Sequence, residues 1–226
     1  MAYILHIETS TTSCSVALSH SGQLKHAIAY DNGYSHAENL HPFIQRLFAE
    51  SQVNIQQLSA VAISKGPGSY TGLRIGVSAA KGLAYALKIP LISIDTLQVM
   101  AVAAKLKNAE ADFYCPMLDA RRMEVYTRVY NASLEPCNDT KAMILDESSI
   151  QDFAPFPKIC FFGNGYLKAK ELLNKFPMVQ FIEDIVPEAK HMITLAHLKY
   201  DGQNFEDPVY FEPFYLKDFL ILKKSI

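Results

Sequence analysis

Residues 64–74 read SKGPGSYTGLR, and this glycine-rich turn joins a predicted buried strand at residues 60–64 to a predicted long helix at residues 71–87. Another buried strand is predicted at residues 90–94. Upstream, an amphipathic helix follows three strand candidates, at residues 3–7, 15–19 and 23–30. The first part of the chain therefore predicts the order β-β-β-α-β-α-β. Such an order is typical of a mixed sheet with helices packed on it.

The second half of the chain repeats this order of elements without repeating its sequence. Further strands and helices are predicted at residues 113–118, 124–130, 158–162, 167–174 and 188–200, of which the last two are helical. A predicted helix at residues 96–106 and a polar stretch at 107–111 lie between the halves. We therefore predict an α/β fold of two ribonuclease-H-like lobes with mixed sheets, in which residues 1–105 form the first lobe and residues 106–226 the second.

The composition is that of a folded globular protein. Half of the 226 residues are apolar, which excludes the segment-wide polarity of disordered chains. The formal net charge is -2, so the chain lacks the overall basic character that direct nucleic-acid binding favours, and we expect a partner to supply most of any RNA contact. No export signal and no apolar stretch of about 20 residues is present, which predicts a cytoplasmic protein without a membrane segment.

No familiar catalytic or metal-binding signature occurs in the sequence. The cysteines Cys14, Cys115, Cys137 and Cys160 form no C-x-x-C pair, and buried reduced thiols are predicted. The seven histidines include neither H-x-x-x-H nor H-E-x-x-H, and there is no G-x-S-x-G nucleophile elbow. The sequence therefore predicts no catalytic residue and no metal site.

Two interpretations of the glycine-rich turn remain open. A turn before a helix can bind phosphate through free backbone amides, and Glu8, Thr9 and Ser10 follow a predicted strand at an edge where α/β folds bind ligands. The candidate nucleotide-binding residues are Glu8, Thr9, Ser10, Gly66, Gly68, Ser69 and Thr71. However, the known phosphate fingerprints do not match, because G-x-x-x-x-G-K-[ST] is absent and the third glycine of a dinucleotide motif is missing. The alternative is a tight structural turn.

The two helices of the first lobe each carry a distinctive stripe. An apolar stripe on the first helix consists of Leu40, Phe43, Ile44, Leu47 and Phe48. A stripe of small side chains on the second consists of Gly72, Gly76, Ala80 and Ala84. Interior glycines cost a helix roughly 1 kcal/mol each relative to alanine, so the second stripe indicates close packing against a neighbour. Periodicity alone leaves open whether that neighbour belongs to this chain.

The segment Asp119-Ala120-Arg121-Arg122-Met123-Glu124 lies between two predicted strands of the second lobe. One interpretation is a hairpin connection held by salt bridges. The other is a contact with an anion or a partner through Asp119, Arg121 and Arg122. Both interpretations remain open at the level of sequence.

Several of these segments resemble the bacterial TsaB (YeaZ) family, which assists formation of threonylcarbamoyladenosine on tRNA. The shared motifs lie at residues 7–10, 35–42, 66–74, 116–122, 163–165 and 213–217, and the resemblance spans nearly the whole chain. It implies an actin-like (ASKHA) fold and a noncatalytic subunit that activates and stabilises the catalytic relative TsaD. The complex transfers a threonylcarbamoyl group to adenosine 37 of tRNAs reading codons that begin with A, and an ATPase, TsaE, joins it.

The resemblance also implies that the first two helices form the surface that binds TsaD. The implied interface residues are Leu40, Phe43, Ile44, Leu47, Gly72, Leu73, Gly76, Ala80, Leu83 and Ala84. On this basis Gly76→Leu or Ala80→Arg is expected to weaken the heterodimer and leave the chain folded. The same face is expected to form a homodimer when the partner is absent. The chain itself requires no cofactor on this view, and ATP or ADP within the complex stays open.

The sequence departs from the catalytic relative at one decisive place. TsaD carries a metal-binding histidine pair in an H-x-x-x-H segment, and the corresponding residues 95–100 here read DTLQVM. Thr96 and Met100 stand where imidazoles would be needed. A metal-dependent glycoprotease is disfavoured for that reason. An autonomous actin-like ATPase or kinase is the alternative from another class. Lys217 also departs from the family, where arginine is common at that position.

Overall fold

The computed structural model describes residues 2–30, 36–107 and 110–216. Five strands form the first sheet: β1 (Tyr3–Glu8), β2 (Cys14–His20), β3 (Gln23–Tyr30), β4 (Leu58–Gly66) and β5 (Leu91–Asp95). Their spatial order is β3-β2-β1-β4-β5. The first three strands are antiparallel, whereas β4 runs parallel to β1 and β5 runs parallel to β4. The predicted meander followed by helix-crossed parallel strands is therefore confirmed.

Two long helices cover one face of this sheet, α1 (His36–Ser51) and α2 (Tyr70–Leu87). Because side chains alternate along a strand, Leu5 and Ile7 face α1 and α2, while Ile4 faces the opposite side. The opposite side is covered by α5 (Ile193–Asp201) and by the short 3₁₀ helix that precedes it. Hydrogen bonds also fix α5 there, because His197 Nε2 lies 3.1 Å from Ser19 Oγ and accepts from the amide of Gly22 at 3.0 Å.

The second sheet repeats the order of the first. Its strands are β6 (Phe113–Asp119), β7 (Glu124–Thr127), β8 (Tyr130–Asn131), β9 (Lys141–Ile144), β10 (Ile159–Phe162) and β11 (Gln180–Ile182). The spatial order is β11-β10-β6-β7-β9, with β8 paired to β6. Here too the first strands are antiparallel, and the last two are parallel to β6. The α/β class of two ribonuclease-H-like units with mixed sheets, the actin-like architecture, is confirmed.

Some elements of the second half differ from the prediction. Strands β9 and β11 were not predicted, and the predicted strand at 124–130 is divided into β7 and β8. The predicted helix at 167–174 is a 3₁₀ turn, Tyr166–Ala169, followed by the single turn α4 (Lys170–Leu173). Short strands with mixed side chains carry little periodicity, so these errors fall where the pattern is weakest.

Helix α3 (Thr96–Lys107) connects the two sheets and is buried on most of its surface. Its side chains Leu97, Met100 and Ala104 pack against the second sheet, and Val99 packs against the first. Helix α5 follows the second sheet in sequence but packs on the first sheet. The chain therefore returns to the first unit after it has formed the second sheet. The lobe boundary near residue 105 stays a prediction.

The segment after α5 returns along the first sheet and α2. Glu206 pairs with Leu91 at the edge of β5, and Lys81 of α2 donates to the carbonyl oxygen of Phe211 at 2.8 Å. Farther on, the Phe214 amide donates to the Lys65 carbonyl at 2.7 Å. The C-terminal residues of the described chain are thus part of the first unit. None of the helices in the described ranges has both the length and the apolar character needed to cross a bilayer.

Candidate functional site

The carboxyl end of β1 holds a buried carboxyl group. Glu8 is fully buried, and its Oε1 accepts hydrogen bonds from the Ser10 amide at 2.6 Å and the Ser64 hydroxyl at 2.9 Å. Its Oε2 is buried and has no hydrogen-bond partner within the described chain. Burial raises the pKa of Glu8, although hydrogen bonds from Ser10, Ser64 and Thr9 oppose this shift. The environment therefore favours the neutral carboxyl.

The glycine-rich turn lies directly on this strand end. The Ser69 amide donates to the Ser10 carbonyl at 2.6 Å, and the Thr9 hydroxyl donates to the Gly72 carbonyl at 2.8 Å. A Cβ at Gly68 would collide with the backbone of Ser10, and a Cβ at Gly72 would collide with the backbone of Thr9. Glycine is therefore required at both positions by the close approach of the two backbones.

Four backbone amides of the turn and the strand end, those of Ser10, Ser69, Gly72 and Leu73, are already paired inside the chain. Ser69 caps α2, since its hydroxyl accepts from the Gly72 amide and its carbonyl accepts from the Leu73 amide at 2.8 Å. The Ser10 and Ser69 amides donate to Glu8 and Ser10. The geometry thus supports the tight structural turn. Nucleotide binding here stays a prediction that this geometry does not favour.

The other candidate nucleotide residues are not part of this closed contact. Gly66 faces the C-terminal segment, because a Cβ there would lie 2.8 Å from the Phe214 carbonyl oxygen, and its φ of +111° lies in the region that favours glycine. Thr71 is exposed on the first turn of α2. The predicted nucleotide-binding residues therefore lie in three places. Glu8, Thr9, Ser10, Gly68 and Ser69 form the contact between the strand end and the turn, Gly66 contacts the C-terminal segment, and Thr71 is on the surface.

Most residues predicted for the partner interface lie in this chain's own core. The buried members are Leu40, Ile44, Leu47, Gly72, Leu73, Gly76, Ala80 and Ala84, while Phe43 and Leu83 are partly buried. The buried members pack on the first sheet and on Thr9 rather than facing outwards, and their assignment to a partner interface stays a prediction that this packing does not favour. Gly76 and Ala80 are themselves tightly packed, so we now expect Gly76→Leu and Ala80→Arg to destabilise the chain as well as any heterodimer.

The outward face of α2 offers a different row of small residues. Ser78, Gly82 and Ala86 are exposed at successive i+4 positions, and a Cβ at Gly82 would meet no atom within 4 Å. Tyr85 stands beside them with 74% of its surface exposed. The prediction that these helices form the partner surface therefore stays open for their outward faces.

The positions that correspond to the histidine pair of the catalytic relative lie in the interior. Thr96 and Met100 are both completely buried, and Met100 belongs to the cluster that packs α3 against the second sheet. Beside them, Asp95 Oδ1 accepts from the Leu97 amide at 2.9 Å and from the Tyr130 hydroxyl at 3.3 Å. Within the ranges that the structure describes, no three His, Cys, Asp or Glu side chains are grouped as metal ligands.

The turn between β6 and β7 agrees with the salt-bridged hairpin, while the contact with an anion or a partner stays a prediction. Asp119 forms a salt bridge with Lys168 at 2.8 Å, as a braced hairpin requires. The side chains of Arg121 and Arg122 are exposed, and no ion pair among the described residues includes them. Lys168 was not predicted, since it lies far along the chain and only the fold brings it to Asp119. Ser35 and Lys217, which belong to the shared motifs, lie outside the described residues.

Comparisons with known proteins agree on one relationship. Residues 32–217 match the family model described as TsaD: tRNA N6-adenosine threonylcarbamoyltransferase. The tRNA threonylcarbamoyladenosine biosynthesis protein TsaB of Haemophilus influenzae is 27% identical to this chain, over 98% of the chain and 96% of that protein. The TsaB protein of Buchnera aphidicola subsp. Schizaphis graminum is 35% identical, over 81% of the chain and 91% of that protein. The structure of YeaZ from Pseudomonas aeruginosa is similar with a TM-score of 0.83 and 26% identity, covering 96% of this chain and 100% of YeaZ.

Proposed function

The chain belongs to the TsaB (YeaZ) family, and on that premise we propose that it is the noncatalytic subunit that activates and stabilises a TsaD-type enzyme during threonylcarbamoylation of tRNA. The observation that carries this proposal is the burial of Thr96 and Met100. A divalent ion that activates a substrate needs neutral nitrogen or anionic ligands and an open coordination position. A hydroxyl and a thioether inside a packed helix interface offer neither.

The proposed docking surface is the outward side of α1 and α2. Helices with small side chains on their outer face can approach another helix closely, and Ser78, Gly82 and Ala86 form such a row. Tyr85 would supply an aromatic anchor next to this row. The ATPase TsaE and the tRNA are proposed as further members of the assembly. The same surface is proposed to join two copies of this chain when TsaD is absent.

A cytoplasmic location accompanies this proposal. A subunit that binds TsaD must be in the same compartment as TsaD and the tRNA, and we propose that this compartment is the cytoplasm. The thiols of Cys14, Cys115 and Cys160 are buried as predicted, whereas Cys137 is exposed and the prediction of burial was wrong there. All four thiols are unpaired, which agrees with a reducing compartment. We assign no cofactor to the chain itself, and a nucleotide within the complex remains a proposal.

Reconstitution tests the function directly. The purified chain, a TsaD-type subunit and TsaE are supplied with tRNA, ATP and an activated threonylcarbamoyl donor, and are assayed alone and together for threonylcarbamoyladenosine on the tRNA. The Gly82→Arg variant is a further arm. We expect modification only from the complete mixture, and its loss with Gly82→Arg, because an arginine would prevent close helix contact. Gly82→Ala is the matched control and should remain active.

Three results would contradict the proposal or its docking surface. Modification of tRNA by the chain alone would identify it as an enzyme. Steady ATP hydrolysis by the chain alone, or phosphoryl transfer to a small substrate, would instead support the autonomous actin-like ATPase or kinase. If Gly82→Arg assembles and activates TsaD normally, the docking surface lies elsewhere.

A further inference from the structure

The turn between β6 and β7 holds two adjacent arginines in an unfavourable backbone conformation. φ is 70° at Arg121 and 50° at Arg122, both in the left-handed region. A residue with a Cβ in this region costs roughly 1–2 kcal/mol, which is why glycine and asparagine are preferred at such turns. Two such residues in succession are maintained only where the surroundings hold them, and strain of this kind is concentrated at functional sites.

The surroundings do hold this turn, and they do so without using either guanidinium. Asp119 Oδ1 accepts from the Arg121 amide at 2.6 Å and from Lys168 Nζ at 2.8 Å. Lys168 Nζ also donates to the carbonyl oxygens of Arg122 at 2.8 Å and Glu124 at 2.5 Å. From the neighbouring turn, Asn164 Oδ1 accepts from the Asp119 amide at 2.9 Å. The backbone is therefore fixed, and both arginine side chains are presented to solvent.

Neither guanidinium of the exposed pair takes part in an ion pair among the described residues. Across the described residues, no carboxylate lies within ion-pair distance of Arg121 or Arg122. The turn lies at the carboxyl end of β6, beside the parallel strand β10, and this is the edge at which α/β sheets bind ligands. A guanidinium presents a planar fork of donors that matches phosphate oxygens.

Two like charges side by side favour a ligand with several closely spaced negative charges. Two unit positive charges about 4 Å apart repel each other by about 1 kcal/mol in water, and a single carboxylate supplies only one compensating charge. The RNA backbone carries one negative charge at each nucleotide, so successive phosphates can neutralise both guanidiniums. A polyanion therefore fits this turn better than a protein surface with isolated acids.

We propose that Arg121 and Arg122 contact the phosphate backbone of the tRNA within the complex. The inference rests on the proposed function, because the chain has a net charge of -2 and two arginines alone would not bind RNA strongly. The contact is independent of base sequence and positions the tRNA rather than selecting it. The second unit of this chain thus extends the surface on which the TsaD-type subunit holds its substrate.

Salt-dependent binding tests the proposal. Fluorescence anisotropy measures labelled tRNA binding to the assembled complex over a range of salt concentrations, with the Arg121→Gln/Arg122→Gln double variant and a Lys25→Gln/Lys190→Gln control. Both pairs remove two exposed positive charges. We expect the arginine variant to bind on the order of tenfold more weakly at low salt, and its slope of log K against log salt to fall by about 2. The control should match wild type, and subunit association should be unchanged in both.

Three other outcomes of this experiment would contradict the proposed contact between the two arginines and tRNA. Wild-type affinity and slope for the arginine variant would overturn it while leaving the proposed function intact, provided that the wild-type complex modifies tRNA. Loss of subunit association, with normal tRNA affinity in the complex that remains, would identify the turn as a protein contact. Failure of the wild-type complex to bind tRNA would overturn the inference and the proposed function together.

Discussion

Glu8 ends the first strand of one sheet and Asp119 ends the first strand of the other, and both are followed by a hairpin turn. In both units a G-x-G turn from the next parallel strand packs on that strand end. Gly68 lies against Ser10 in the first unit, and Gly165 lies against Met117 in the second, where the Gly165 amide donates to the Met117 carbonyl at 2.8 Å. The repeat therefore includes the turns as well as the strands.

The two acids nevertheless experience opposite environments. Glu8 is sealed beneath the glycine-rich turn, and burial raises its pKa. Asp119 has 46% of its side chain exposed. Burial alone would raise the pKa of Asp119, but hydrogen bonds from Lys168 and the Arg121 amide, with the charge of Lys168, lower it overall. One topology thus supports a closed structural contact in the first unit and an open charged turn in the second.

The largest expected effect concerns how closely the start of α2 packs on the end of β1 in the first unit. Gly72→Ala would place a methyl group against the backbone oxygen of Thr9, which cannot move without displacing β1. We expect a loss of about 3 kcal/mol in the free energy of unfolding, measured by denaturant titration, as for severe overpacking. Gly82→Ala in the same helix is the matched control and should raise stability by roughly 0.5–1 kcal/mol, since the position is open. Equal effects of the two substitutions would show that the first contact is not tight.

The corresponding contact in the second unit is looser. A Cβ at Gly165 would lie 2.8 Å from both the Met117 carbonyl oxygen and Val125 Cγ1, whereas a Cβ at Gly72 would lie only 2.1 Å from the Thr9 carbonyl oxygen. Gly165→Ala should therefore destabilise the chain by about 1–2 kcal/mol, less than Gly72→Ala. Thermal and denaturant unfolding of the two variants, measured side by side, test the order. A larger loss at Gly165 would reverse the comparison.

The smallest expected effects are opposite pH dependences of the two acids. A raised pKa in the folded state means that the contribution of Glu8 to stability is complete below its ordinary pKa of 4.5 and is lost as pH rises. A lowered pKa means that the contribution of Asp119 is present above its ordinary pKa of 3.8 and is lost as pH falls. The stability of wild type relative to Glu8→Gln should therefore fall from pH 4 to 7. Relative to Asp119→Asn it should rise as the pH increases towards 3.8 and level off above that value, by at most about 1 kcal/mol because the pair with Lys168 is partly exposed.

Unfolding free energies of the three proteins at several pH values test this contrast. The amides keep the size and the acceptor oxygen of each acid, so the change in charge is the principal difference. If the stability of wild type relative to each variant changed with pH in the same direction for both acids, Glu8 and Asp119 would share one type of environment.

Much of the fold could be predicted from local patterns, and the errors have local causes. The strands from β1 to β6 and the helices α1, α2 and α3 follow clear periodicities and were placed within a few residues. β9 and β11 were missed because three or four residues of mixed character carry little signal. Lys168 was missed because a brace distant in sequence leaves no spacing pattern.

The sequence by itself determined the order of the elements from β1 to β6, since strand and helix periods are local properties. It also determined the absence of imidazoles at Thr96 and Met100, because residue identity is read directly. Only the tertiary structure decided which face of α2 is buried, since a stripe of small residues fits a strand end of its own chain as well as a partner helix. The opposite environments of Glu8 and Asp119 were likewise decided by folding, because the pKa of a carboxyl group depends on burial and on charges that only the fold brings near.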